Sequence, residues 1–231
     1  MSSVDRDAIL AYAHTLMGHI RITYAYLNTY KSLCDNGAKY RDAMNQMPLF
    51  FTMIYRSLAH TIMIDMCKLF EDDKQVLGIK KFYSICEQNQ KVFSNTRQDE
   101  NGEGTEIPYS IANVLALAEK DFVRNSKAIE NLKAQRDTIW AHSDKRFVLN
   151  PNKVENDFPV AWDEIEQLLK FASDFVNSII MGLTNSIESP FFNTPTACSE
   201  NVEHLLSLLE SGIQTQEMTN GQVQMKSVCR P

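Results

Sequence analysis

Between Pro159 and Thr184 apolar side chains fall at 161/162, 165, 168/169, 172, 175/176, 179/180 and 183, a three-and-four spacing that draws them onto one side of an α-helix. A strand would divide the same residues between two faces, because its side chains alternate. The spacing recurs at Ile9, Tyr12, Ala13, Leu16, Ile20, Tyr24, Leu27 and Cys34, which predicts a long amphipathic helix over about residues 5–34. Asn36-Gly37 supplies its stop, with the glycine expected in the left-handed conformation. A second helix opens with Pro48 in its first turn and carries Leu49, Phe50, Met53, Ile54, Leu58, Ile62, Met66, Leu69 and Phe70, a face broad enough for a central position.

Glu71-Asp72-Asp73-Lys74 breaks that pattern, and a shorter helix is expected from Leu77 to Phe93. Residues 94–108 are polar, acidic and glycine-containing, the composition of a loop. Periodicity returns from Ile111 through Leu132 and continues into residues 136–142, which predicts one long helix ending there. Beyond Ser186 the run SPFFNTPTACS reads as a linker, followed by a short helix around Val202 to Leu209 and a frayed tail. No strand alternation bounded by hairpin turns and no fixed-period repeat is present. The expected fold is all-α, an antiparallel helical bundle over 1–185, with a C-terminal helical and disordered extension over 186–231.

The formal net charge of −6 argues against a nonspecific nucleic-acid coat, so any contact with RNA must depend on a local cluster. The five cysteines, at 34, 67, 86, 198 and 229, lack metal-ligand spacing, and no thioredoxin-like pair occurs. Neither a metal nor another cofactor is expected. The first residues lack a basic region followed by an apolar core, and the longest apolar runs, such as Ile179-Ile180-Met181, are too short to span a bilayer. These features predict a cytoplasmic protein with no membrane partner. Glycine-rich phosphate loops, a serine nucleophile elbow and a Cys-His protease signature are all missing.

The chemistry-bearing stretch is Arg136-Asp137-Thr138-Ile139-Trp140-Ala141-His142. Arginine keeps its charge and forks onto phosphate oxygens, while histidine takes and gives protons near neutrality. On a straight α-helix Arg136 and His142 lie about 120° apart in azimuth and about 9 Å apart along the axis. Either the helix ends or bends near Ala141, or a second copy of the chain completes the site. Lys133, Lys145 and Arg146, with Arg124 and Lys127, form a local basic excess that can follow a phosphate backbone.

Arginine, a polar residue, a short spacer and histidine, placed late in a helical bundle, resemble the motif of the HEPN superfamily. With MCKLFEDDK after the second long helix and QRDTIWAHSDKRF before the last, about residues 5 to 185 resemble the abortive-infection AbiU-like branch. The resemblance implies a metal-independent endoribonuclease that works as a homodimer, often as a toxin or antiviral effector, with RNA as substrate and an antitoxin or defence protein as partner. It implies attack of a ribose 2′-OH on the adjacent phosphorus, with Arg136 stabilising the phosphoryl charge, His142 as general acid or base, and Asp137 orienting one of them. Asp144 stands where some relatives carry a modifiable tyrosine, so silencing by nucleotidylation at that place is not expected.

A non-catalytic helical adaptor that binds a partner protein or a nucleotide is the rival reading. In it Arg136 stacks on Trp140, four residues away, and His142 only caps a helix end. His14, His19, His60 and His204 have core or surface roles, since none has a second ligand at metal spacing. Asp65, between Ile64 and Met66, is a candidate buried acid.

Overall fold

The computed structural model describes residues 5–73, 75–93, 96–98, 106–140, 156–184 and 194–228, and these form an all-α protein. Its helices are α1 (Arg6–Asn36), α2 (Arg41–Asn45), α3 (Pro48–Leu69), α4 (Ile79–Gln88), α5 (Ile111–Arg124), α6 (Ser126–Gln135), α7 (Trp162–Thr184) and α8 (Thr194–Val228). Two three-residue strands, β1 (Thr96–Gln98) and β2 (Glu106–Pro108), pair antiparallel with Arg97 opposite Ile107. The ends of the predicted 94–108 loop are therefore paired, although neither end shows the alternation of a buried strand.

The chain divides into two compact units, one of residues 1–24 and 60–191, the other of residues 25–59 and 192–231. In the first, α7 supplies a continuous buried face from Ile165 to Leu183. Phe171 and Phe175, one helical turn apart, gather an aromatic cluster: Phe171 meets Phe122 at 5.0 Å between ring centres and Phe70 at 6.1 Å, and Phe175 meets Phe82 at 5.9 Å. The edge-on geometry of Phe122 on Phe171 directs ring hydrogens at the negative π face. At the end of α7 the Arg6 guanidinium donates to the Leu183 carbonyl, one of the acceptors a helix terminus leaves unmet. Tyr109 donates its hydroxyl to the Ser178 carbonyl at 3.0 Å, and its ring occupies the space where a Cβ on Gly182 would stand.

The second unit packs Leu33, Tyr40, Phe51, Val202 and Leu206 into its own core. The Tyr55 hydroxyl donates to the Leu33 carbonyl at 2.9 Å, and Lys39 pairs with Glu203 on α8.

Three expectations are corrected. The helix predicted around Val202–Leu209 is the middle of α8, which continues in both directions from Thr194 to Val228, so the stretch expected to fray is helical as far as Val228. The long helix predicted from Ile111 is two helices, separated at Asn125. Asn125 is buried, and its amide nitrogen donates to the Asp121 carbonyl at 2.8 Å, a local bond that competes with helical continuation. Finally, α1 does stop at Asn36, but Gly37 is not left-handed. A tight last turn ends the helix instead, with Gly37 N–H donating to the Cys34 carbonyl at 3.2 Å and the Asn36 side chain to that of Ser32 at 2.9 Å.

Candidate active site

The site is assembled in the first unit from the end of α3 and the end of α6. Apolar residues hold the two helices together: Leu132, Met66 and Cys67 are fully buried, and the Cys67 thiol lies 3.5 Å from the Leu132 carbonyl. Burial pushes that thiol up to about 12, with the nearby Arg136 charge pulling the other way. Cys67 is therefore a packing residue and an unreactive one at neutral pH.

Beyond α3, Phe70 is buried and Glu71-Asp72-Asp73 are no longer helical. The Asp73 carboxylate accepts from the Gln75 N–H at 2.7 Å, an Asx turn, and the chain comes back to cap α4 at Gly78. A Cβ at Gly78 would lie 2.9 Å from the carbonyl oxygens of both Leu69 and Glu71, closer than backbone can tolerate. Glycine is required here because two main chains approach one another, not for an unusual φ.

On α6 the buried face mixes hydrocarbon with amides. Asn131 donates to the Pro159 carbonyl at 2.8 Å and Gln135 to the Phe158 carbonyl at 2.7 Å, which fastens the segment leading into α7. The α-helix then widens into a π-helical turn at Arg136–Trp140. Thr138 lends its hydroxyl to the carbonyls of Ala134 at 2.7 Å and Gln135 at 3.2 Å, acceptors at the junction of the two helical forms. The departure from α-helical form therefore begins at Arg136 itself. Such π turns are frequent at functional sites.

Arg136 is held by two carboxylates. Its Nε donates to Asp137 at 2.8 Å, and Nη1 pairs with Glu71. Asp137 first, and Glu71 after it, raise the guanidinium above its ordinary pKa, so its charge is permanent. The two carboxylates fix the plane of the guanidinium, whose donor fork suits phosphate oxygens. Three residues earlier, Lys133 donates to Asp72 at 2.8 Å, and Lys80 from α4 reaches the other oxygen of the same carboxylate at 3.2 Å. Partial burial opposes the charge on Asp72, but Lys133 and Lys80 outweigh it and hold the carboxyl below its ordinary range.

Of the residues singled out in sequence, Arg136, Asp137 and Lys133 are thus on one helix end. His142, Lys145 and Arg146 lie outside the described residues. Arg124 pairs with Asp121 at 2.7 Å and Lys127 with Glu130 at 3.9 Å, so the basic excess before the motif is largely matched by acids. Asp65 is only half-buried and pairs with Lys68 on its own helix. His14, His19, His60 and His204 are exposed. The sequence reading missed Glu71, Asp72 and Lys80 as site residues; the acidic run after α3 was their one visible signal. Among the described residues no group of His, Cys, Asp or Glu is arranged to hold a metal ion, and no helix is long and apolar enough to cross a membrane.

The family model for AbiU2, of the HEPN type, matches residues 5–204. The chain belongs to the AbiU2 family. No curated protein and no solved structure matches it. The AbiU2 match takes in every element described for the site and stops within α8. It gives the chain an abortive-infection HEPN context.

Proposed function

We propose that this AbiU2-family protein is a metal-independent endoribonuclease that acts as a toxin or antiviral effector. The observation that carries the reading is Arg136: in a HEPN-type chain it stands at a π-helical turn, with two carboxylates fixing its orientation. In the proposed reaction a ribose 2′-oxygen attacks the adjacent phosphorus as its proton passes to a base. The P–O5′ bond breaks, the 5′-oxygen receives a proton, and a 2′,3′-cyclic phosphate remains. Arg136 neutralises charge growing on the phosphoryl oxygens, and His142 handles a proton. Asp137 keeps the guanidinium aimed. Lys133, Lys145 and Arg146 follow the backbone of the RNA.

The reading makes the working unit a homodimer whose two motifs share a cleft, places the chemistry in residues 1–185 and leaves 186–231 an accessory role, with an antitoxin or defence protein as a further partner. Purified protein incubated with a mixed RNA pool in EDTA tests it. Cyclic-phosphate ends that vanish in His142→Ala, with the dimer still folded, are the expected result; cleavage that needs a divalent metal, or survives in that variant, overturns the mechanism.

One observation favours the adaptor reading. Leu49, Phe50 and Met53, near the start of α3, are more than half exposed, an apolar row of the sort that partner proteins cover. A folded protein that binds RNA-free partners and leaves every RNA intact would establish it.

A further inference from the structure

Beside the Arg136 cluster, in the same unit, a cavity of about 400 Å³ opens between α4, α5 and α6. That volume falls within the range of about 300–1,000 Å³ usual for small-molecule sites. Its walls divide by chemistry. Tyr83, Phe122 and Ile129 give an apolar, largely aromatic surface, with Tyr83 and Phe122 edge-to-face at 5.9 Å. Lys80 and Lys133, both paired with Asp72, give it a basic part, and Glu119 and Glu130 also line the cavity. Burial, followed by the charges of Glu87 and Glu119, raises the Tyr83 phenol, which places the Glu119 carboxylate near that ring.

We propose that this cavity receives one unstacked nucleotide of the RNA strand, its base against Tyr83 and Phe122 and its phosphate at Lys80 and Lys133. The inference rests on the ribonuclease reading and extends it from chemistry to recognition. Unpaired bases splayed onto aromatic side chains are the usual way single-stranded RNA is read. Lys133 joins the two places: it lines the cavity, and it precedes Arg136 by one helical turn, so a nucleotide seated here delivers its neighbouring phosphate towards the guanidinium.

Two further consequences follow. The carboxylates of Glu119 and Glu130 accept hydrogen bonds and cannot donate them, so they favour guanine, with N1–H and its amino group side by side, over uracil, whose single N3–H lies between two carbonyl oxygens. Asp72 occupies both lysines in the free protein, so it competes with the incoming phosphate. Neutralising Asp72 therefore strengthens binding, an outcome that a purely structural ion pair would not give.

The full-length protein titrated with GMP and UMP, by calorimetry, tests the site. GMP is expected to bind at least fivefold more tightly than UMP. Lys133→Gln should weaken GMP at least fivefold, and Asp72→Asn should tighten it severalfold. Glu119→Gln with Glu130→Gln, both at exposed positions, should narrow the gap between the two nucleotides. Far-UV circular dichroism and the melting temperature of each variant confirm that it is folded. Equal affinities, or a GMP affinity indifferent to Lys133 and Asp72, overturn the proposal.

A 2′-O-methylated RNA that resists cleavage separates the sources of the nucleotide. Displacement of GMP by that RNA supports the proposal, whereas GMP binding that the RNA does not disturb assigns the cavity to a free nucleotide and overturns it. Displacement together with failure of the wild-type protein to cleave the unmethylated RNA of the same sequence would leave the cavity assignment standing and remove the ribonuclease reading alone.

Discussion

Helices α7 and α6 lie in the same unit and use burial in opposite ways. Nearly every residue that α7 buries is hydrocarbon, and two of its phenylalanines collect rings from α4, from α5 and from Phe70 just beyond α3. Half of what α6 buries is amide, spent on carbonyls of the segment before α7, and its last turn departs from α-helical form. Hydrocarbon burial is non-directional and stabilises in proportion to area. Amide and ion-pair contacts add less net stability, but they fix direction. The difference assigns cohesion to α7 and aim to α6.

Arg136→Ala should separate the two roles most sharply. Removing an electrostatic stabiliser of a transition state lowers the rate on the order of 10²–10³-fold, whereas the loss of partly exposed ion pairs to Glu71 and Asp137 should change folding stability by about 1 kcal/mol or less. RNA product formation and urea melts of the same preparation measure both, and Arg136→Lys should not restore activity, because ammonium lacks the planar fork. A variant that unfolded in step with its loss of activity would erase the distinction.

Leu168→Ala is the converse experiment. Leu168 is completely buried on α7, and its truncation should cost about 2–5 kcal/mol in chemical denaturation. Cleavage per folded molecule should stay at the wild-type level.

Gly182→Ala, also on α7, puts a methyl group into the ring of Tyr109. Overpacking of this kind costs about 1–3 kcal/mol, and Tyr109→Leu in the same chain should recover part of it in thermal melts.

The smallest effect concerns Asp72. Its folded-state pKa lies below the unfolded one, so its contribution is present above the ordinary carboxylate range and is lost as pH falls through the lowered value. The difference in melting temperature between wild type and Asp72→Asn should therefore shrink on acidification. A difference that grew would place the carboxyl in the opposite environment.

The contrast between the helices also governs what could be read from the chain. Helix α7 was legible because packing writes itself as a period of apolar residues, and α1 and α3 were legible for the same reason. The break at Asn125 was not, since Ile129 and Leu132 keep the period of Phe122 across it. The length of α8 was hidden by glycine and polar residues that carry little apolar period; a Cβ at Gly212, for example, would meet nothing within 4 Å outside its own helix backbone. At the site, Arg136 and Asp137 are adjacent in sequence and form a local motif. Glu71 lies 65 residues from its partner, and an acidic run after a helix looks the same whether it caps, solvates or aims an arginine.

Gly78 carries no side chain and touches no substrate in the proposed reaction, yet its lack of bulk is what allows the backbone at Glu71 to lie where it does. Alanine there would have to displace the main chain that presents Glu71 and Asp72, and through them Arg136 and Lys133. A genetic screen for loss of the proposed toxicity would therefore return this position among the charged residues, an inactivating lesion at a place with nothing chemical to lose.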